Sequence, residues 1–578
     1  MRYKKFNKKA RALAIAVCSV LLITSCDQND FLTEVNPNTI TNETFWKSKQ
    51  DFQTGLNTVY AAMQYQSISG GGLVFEEVMS DIAGSESWYD PIAFRNFTFT
   101  DADQNVTNKW ANLYTGIFRA NQVISKLQTA EPSIFAAGEK ESIEAQARTL
   151  RAFYYFLVAN TYGGAVIHTK VAQTKEDLQV PFSSIAEVNN QIIIPDLQFA
   201  KANLPQKWSG ENVGRVTTGT ATALLGKVYL FDKQWAAAAA EFKNVIDSGV
   251  YSLTANIMDN FDTEHEFNSE SILEVAYSAT KNPGANGDNV DDTPYTAGAE
   301  ASNLARAYGQ LNYGGYNTLL PSYFIHELYL NDEVDPTNSI NTTNIHSKRL
   351  TASIAPANFE GQYYLLDNGV AKGWGYGQSA YIKKYSNWYN VKSEDGNSRS
   401  GINCRQIRLA DVYLMYAEAV LNASGDLSSA IFYIDEVRAR AGVKTIQEYL
   451  DANGNKFPQL HISKEVHGTQ PLVEPTKKTL LTHIQRVERP LELAFEGHRF
   501  KDLVRWGIVQ QVFNELVADE NWRLANIDVG PTAVPVQPLL LKERIRDDFR
   551  NASTSYNSAK NDYWPIPAVE RQSNNQLN

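Results

Sequence analysis

The chain has almost no cysteine: Cys18, Cys26 and Cys404 are the three in 578 residues. The first two belong to an N-terminal segment with the pattern of a secretory signal, which leaves Cys404 as the one unmodified thiol of a mature chain. No intrachain disulfide and no cysteine-based metal cluster is expected. Stability has to come from a large buried core, which a chain of this length can supply. Positive charge is also short. Without the six basic residues ahead of Cys26 the chain holds 47 basic against 64 acidic residues, a formal charge of −17. Such a surface repels phosphate backbones and excludes nucleic acid as a partner. No segment after the first 25 residues reaches the apolar length of a membrane-spanning helix. The zinc-protease HExxH, the phosphate-cradling loop and the GxSxG elbow are absent, and Gly70-Gly71-Gly72 lacks the Lys-Ser/Thr that a phosphate cradle needs. A glycoside hydrolase needs only two carboxylates at a set separation, so it stands as the enzymatic alternative without a positive feature to support it.

What is present begins at the N-terminus. Arg2, Lys4, Lys5, Lys8, Lys9 and Arg11 form a basic stretch, residues 12–23 are apolar apart from Ser19, and Ile23-Thr24-Ser25 lead into Cys26. The apolar run is too short to span a bilayer and has the length of a signal-peptide core. The arrangement resembles a bacterial lipobox, which implies cleavage before Cys26 and acylation of that residue. Each buried methylene of an acyl chain contributes about 0.8 kcal/mol, and several chains together hold a folded domain on a membrane. The Asp27-Gln28-Asn29-Asp30 that follows resembles the surface-export signals of Bacteroidetes lipoproteins. The expected location is the outer membrane, lipid-anchored through Cys26 and facing outward.

Helical periodicity dominates the first half, over 51–63, 111–127, 138–162, 217–232 and 236–249. Leu225, Gly226, Tyr229, Ala238, Phe242 and Val245 recur at the spacing of a tetratricopeptide helix pair. Small residues let the helices approach while Tyr and Phe fill the groove. A looser unit runs through Leu414, Ala417, Leu421, Ala430, Ile434 and Val437, with Gly425-Asp426 as its turn. Residues 255–400 are different: rich in Gly, Asn, Asp and Tyr, they read as long loops with short strands and helices. Long loops on a rigid scaffold commonly carry function, and abundant aromatics argue against disorder.

Several segments resemble those of the SusD/RagB family, the surface nutrient-binding lipoproteins of Bacteroidetes. They are Phe31-Leu32 through Pro37 with Thr39-Ile40-Thr41 and Phe45-Trp46; YTGIFRAN (114–121); EAQARTLRAFYYFLVANTYGG (144–164); NSESILEV (268–275); RLADVYLMYAEAVLNASGD (408–426) with VRARAG ending at Gly442; ERPLELAFEGHRFKDLVRWG (488–507); and YWPIPAVE (563–570). Their order follows the family's. Two departures stand out: Gly164-Ala165-Val166 replaces the usual Val-Pro pair, and no Asn-Pro-Gly-Tyr ending is present. The resemblance implies an all-α, mainly helical fold, with tetratricopeptide-like helix pairs as scaffold and long loops and a few short strands carrying the ligand site. It implies a signal peptide over 1–25, an N-terminal helical region over 26–250 and a loop-rich C-terminal region over 251–578, together one compact unit. It also implies a partner, a SusC-like TonB-dependent transporter over which the lipoprotein sits as a lid, and an oligosaccharide ligand. Some members of the family take peptides instead.

A pyranose ring packs its C–H face on flat aromatic rings while its hydroxyls bond to polar groups at the rim. Three clusters have that composition: Asp81 with Trp88, Tyr89 and Arg95; Tyr308, Tyr313 and Tyr316 among glycines; and Trp374 and Tyr376 in KGWGYGQ, followed by Trp388-Tyr389. Glycine neighbours leave aromatic faces uncovered. No catalytic residue and no cofactor is expected. Asp262, His265 and Glu266 read as a solvated acidic loop, and Asp288, Asp291 and Asp292 offer oxygens for calcium without the Gly and distal Glu of a full loop.

Overall fold

The computed structural model describes residues 45–84, 91–281, 299–341, 345–356, 361–367, 380–527 and 548–577. The chain divides into two units, residues 1–51 and 52–578. In the first, Phe45 and Trp46 meet edge to face at 5.0 Å. The Asp51 carboxylate accepts from Lys47 N and Ser48 N at 3.1 and 2.7 Å, which caps the start of helix α1, Lys49–Ala61.

The second unit is mostly helical, as expected, and its strands pair only two at a time among the described residues. Its spine is a succession in which each helix packs on the next: α2 (Gln104–Thr129), α3 (Glu139–Tyr162), α4 (Ile194–Asn203), α5 (Thr218–Phe231), α6 (Trp235–Asp247), α7 (Leu409–Ala423) and α8 (Leu427–Arg440). Local chemistry sets the boundaries. The Asp103 side chain accepts from Asn105 N at the start of α2, Gly163 in the left-handed region ends α3, a Thr217–Thr220 capping box opens α5, and Asp426 caps α8.

Both helix pairs read from the sequence are present. In α5 and α6, Leu225, Ala238, Phe242 and Val245 are buried. Gly226 permits the approach, because a Cβ there would lie 2.7 Å from the Phe242 ring. In α7 and α8, Leu414, Ala417, Leu421, Ala430, Ile434 and Val437 are all buried. The two pairs abut through α6 and α7, although more than 160 residues separate them in the chain. The intervening segment is thus a long insertion between adjacent repeats.

That insertion is tied back by β1, Ser271–Val275, which pairs antiparallel with β2, Cys404–Arg408. The pair delivers charge to the interior. Arg408 Nε lies 2.8 Å from Glu496 Oε2, and its Nη1 lies 2.8 Å from Glu270 and 2.5 Å from Glu492. Arg440 of α8 spans the same Glu270 and Glu492 at 2.8 and 2.5 Å. Beside them Arg349 holds Asp332 at 2.6 Å and Glu488 at 2.8 Å, and Arg489 holds Asp411 and Asp502, both at 2.6 Å. A charge removed from water is tolerated only when paired and hydrogen-bonded, and these groups are both. A π-turn, Ile484–Glu488, precedes Arg489-Pro490, where proline has no N–H to give to the ladder. The segment from 488 to 505 therefore ties β2 and α7 together and reaches back to residues 76–81. Lys501 meets Glu76, Gly497 N meets Glu77, and Arg499 meets Asp81. Cys404 is buried, and its thiol is pushed up to about 12 by burial, so it is an inert core residue.

Candidate functional site

The described structure separates the expected ligand contacts into core and edge. Asp81 is fully buried, and Arg499 takes both its oxygens, Nε to Oδ1 and Nη2 to Oδ2, each at 2.7 Å. A carboxylate with no exposure and an arginine across both oxygens is out of reach of a sugar hydroxyl, so Asp81 is corrected to a structural anchor. Arg95, at the end of the short helix Ile92–Arg95, is 4% exposed and likewise belongs to the interior. Tyr308 is 1% exposed and donates to Phe495 O at 3.3 Å. Tyr313 is 2% exposed, with its ring stacked on Tyr364 at 4.5 Å and 13°. Both are core aromatics whose faces are already covered. Glycine neighbours misled here: Gly309 and Gly315 exist to let backbone pass backbone, since a Cβ on Gly315 would lie 2.0 Å from Gly309 O. Trp88, Tyr89, Trp374 and Tyr376 lie outside the described residues, as do Cys26, Asp288, Asp291 and Asp292.

Tyr316 is half-buried, and the Arg306 guanidinium lies 4.3 Å from its ring centroid. Arg306 also donates to Gly314 O at 3.2 Å and to Gly396 O, which clips the 306–317 segment to the loop after Lys384. Glu394 organises that loop: Asn387 N, Asn387 Nδ2 and the Tyr364 hydroxyl all donate to it at 2.8 Å. Burial raises its carboxyl above the usual range, and these three donors oppose that rise. The same loop presents Trp388 and Tyr389, both half-buried and edge to face at 6.0 Å. Trp388 packs on the buried Tyr313–Tyr363–Tyr364–Tyr381 cluster, and Lys383 Nζ lies 3.5 Å from its ring centroid. Among the described residues its indole Nε1 has no hydrogen-bond partner. That nitrogen is itself buried, so what Trp388 can offer a ligand is the open part of its ring rather than its N–H.

A second aromatic cleft escaped the sequence reading. Two adjoining cavities of about 280 and 350 Å3 share Val213, Gly214, Arg215, Phe267 and Glu274. Phe267 takes φ of 50°, its N–H donates to both Glu274 oxygens at 3.2 Å, and its ring covers Gly214, itself at φ of 91°. Tyr60 and Arg215 line one end, with the guanidinium 5.4 Å from the ring centroid, and Trp208 lines the other. Only Trp208, two residues before Gly210, carried a local signal; Phe267 comes to Gly214 from more than 50 residues away.

The buried carboxylates are engaged with cations rather than poised for proton transfer. Burial alone would raise Glu76 and Glu496, but Lys109 and Lys501 hold the first, and Arg408 and Lys384 the second, at about 2. Glu77 is pushed up to about 8 by burial, yet it is 1% exposed and out of reach of a substrate. Asp259, Asp262 and His265 gather within 4.8 Å, with Asp262 Oδ2 2.8 Å from His265 Nδ1 and Asp262 Oδ1 accepting from Glu264 N and His265 N at 2.9 Å.

Stacked helix pairs, a long insertion between adjacent repeats and aromatic edges on that insertion define a helical-repeat binding protein. The chain belongs to the SusD family, whose model matches residues 269–578; a second model, described as starch-binding and associating with the outer membrane, matches residues 30–230. A SusD-like protein of Formosa agariphila is 26% identical over 557 residues, covering 91% of this chain and 95% of its own. A SusD superfamily protein of Bacteroides vulgatus superposes with a TM-score of 0.71 at 23% identity, covering 93% of this chain and 99% of its own. A laminarin-binding SusD-like protein does so with a TM-score of 0.64 at 25% identity, covering 92% and 99%. The resemblance read from the sequence therefore holds along nearly the whole chain. Among the described residues no helix is long and apolar enough to cross a membrane.

Proposed function

We propose that this protein is a cell-surface lipoprotein that binds an oligosaccharide and delivers it intact to a SusC-like TonB-dependent transporter. The observation that carries the reading is an aromatic edge: Trp388 and Tyr389, both half-buried at the rim of a tyrosine cluster, with Tyr316 half-buried on Arg306 in the segment clipped to the same loop. A sugar needs an apolar face to lie on, and this edge offers one. The laminarin-binding relative supports a β-glucan as the first ligand to try. In this reading Trp88, Tyr89, Trp374 and Tyr376 contribute further stacking surfaces. Most of the buried carboxylates are paired with cations in the core, and binding without turnover is expected.

Calorimetry of the mature protein against laminarin oligosaccharides and a panel of other glycans tests this. Tyr316→Ala, Trp88→Ala and Tyr89→Ala should each weaken binding roughly tenfold or more, the value of one stacked face, with the melting temperature unchanged. Trp388→Phe shrinks the ring available for stacking, and should weaken binding about three- to tenfold. Unaltered affinity in all four variants would place the site elsewhere, with the Trp208–Phe267 cleft next in line. Release of shorter sugars from a bound glycan over time would show a hydrolase instead.

Attachment is expected to depend on Cys26. In cell fractionation, Cys26→Ala should leave the outer-membrane fraction, because the acyl chains are its anchor. Retention of the variant at the parent's level would refute lipidation.

A further inference from the structure

A cavity of about 620 Å3 lies between α2, the segment that follows Val166, and the C-terminal helix Ala568–Ser573. It has no part in the site proposed above. Trp110, Tyr114 and Phe118 stand four residues apart on α2, so their side chains rise along one face of the helix. Phe118 is 46% exposed, and Leu178 opposite it is 49% exposed. Large apolar side chains open to solvent on both sides of a concave cavity of this size are the lining of a small-molecule site.

The polar groups in the wall narrow the ligand. The Tyr114 hydroxyl donates to Val166 O at 3.0 Å and accepts from Val166 N at 2.7 Å. Asn121 gives its amide to His168 O and takes Arg151 on its oxygen. Gln179 bonds to Ser573 O and Asn575 N, and Asn574 bonds to Val180 O. Glu570 is held by the Trp110 indole, with its carboxyl raised by burial. These groups serve the fold, so they cannot also satisfy the many hydroxyls of a sugar. What remains is carbon surface and two exposed ammonium groups, Lys170 and Lys175; neither has a carboxylate at ion-pair distance among the described residues, although Lys170 feels the more distant Asp177. We infer that this cavity binds a small amphipathic anion, with a flat apolar body against Tyr114 and Phe118 and its charged end between Lys170 and Lys175. It is a second ligand site with a chemistry unlike that of a neutral glycan.

The probes are 1-naphthaleneacetate and its neutral amide, which share a ring system and differ in charge, titrated calorimetrically into the mature protein at low salt. The acid should bind roughly five- to tenfold more tightly than the amide, the sum of two exposed charge contacts. The double variant K170Q/K175Q should close that gap without changing the affinity for the amide. Phe118→Ser should weaken both probes about tenfold. All three side chains are substantially exposed or at the rim, so thermal melting should match the parent; if Phe118→Ser alone melts early, the lysine variant decides. Binding of neither probe at millimolar concentration, equal binding of acid and amide, or an acid affinity unmoved by K170Q/K175Q would overturn the assignment.

Discussion

Arg408→Ala is expected to be the most damaging single substitution in the scaffold, with a loss of about 3–5 kcal/mol in folding stability. Arg408 sits among Glu270, Glu492 and Glu496, each buried, with its guanidinium 1% exposed. Removing it leaves three carboxylates in a medium that cannot solvate them. Arg440 retains Glu270 and Glu492, and Lys384 retains Glu496 at 2.9 Å, so the site is not stripped of cations. The cavity left by the guanidinium adds to the loss. Lys243→Ala is the matched control. Its partner is Asp247, one turn away on α6, and both side chains are largely exposed. Such pairs contribute about 0–1 kcal/mol. Denaturant midpoints of the two variants against the parent decide the matter, and equal midpoints would mean that the buried network is replaceable.

Acid is expected to unfold the protein in two stages. Burial lowers His326 and His461 to about 3 and His498 to about 4. These rings stay neutral in the fold and protonate in the unfolded chain, so stability begins to fall as pH drops below about 6.5. Raised acids oppose this: burial holds Glu77 at about 8 and Asp435 at about 6, and also raises Glu394, Asp519 and Glu570, so there the folded state binds the proton first. Between pH 8 and 6.5 Glu77 favours the fold as pH falls, while Lys383, pushed well below its ordinary value by burial, opposes it, so the profile is nearly level. From 6.5 to 4.5 the histidines and the raised acids pull in opposite directions and the decline is shallow. Below about 4 the signs agree. Glu76 and Glu496 at about 2, with Glu270, Asp411 and Glu488 held lower still by their arginine and lysine partners, contribute stability that is lost as pH falls. Melting temperature followed from pH 9 to 3 should show a broad maximum between about 6.5 and 8, a gentle slope, then a steep fall below about 4. A flat profile down to pH 3 would show that the buried charges are not coupled to folding.

The ERPLELAFEGHRFKDLVRWG segment illustrates how far sequence pattern reaches. As a pattern it marks the family. As chemistry it was silent, because nothing inside the segment tells what Glu488, Arg489, Glu492, Glu496, Arg499 and Asp502 pair with. In the fold all six are buried. Their partners Asp411, Arg408, Arg349 and Asp81 lie 78 to 418 residues away, beyond the reach of any local rule. Asp81 failed as a ligand contact for the same reason: nothing near it in sequence announces Arg499.

Helix spans, the two helix pairs and the family were determined by the sequence itself, because periodicity, small-residue spacing and capping are properties of neighbours a few residues apart. The first pair needed only Leu225, Gly226, Ala238, Phe242 and Val245 within a single hairpin. Which aromatics are covered and which stay open was decided by tertiary structure alone. Tyr313 and Tyr316 are three residues apart with the same glycines around them, yet one is stacked on Tyr364 and the other rests half-open on Arg306. An aromatic ring has the same composition signal in a core as at a site. Only the partners that cover it, brought from distant segments, decide whether its face meets protein or solvent.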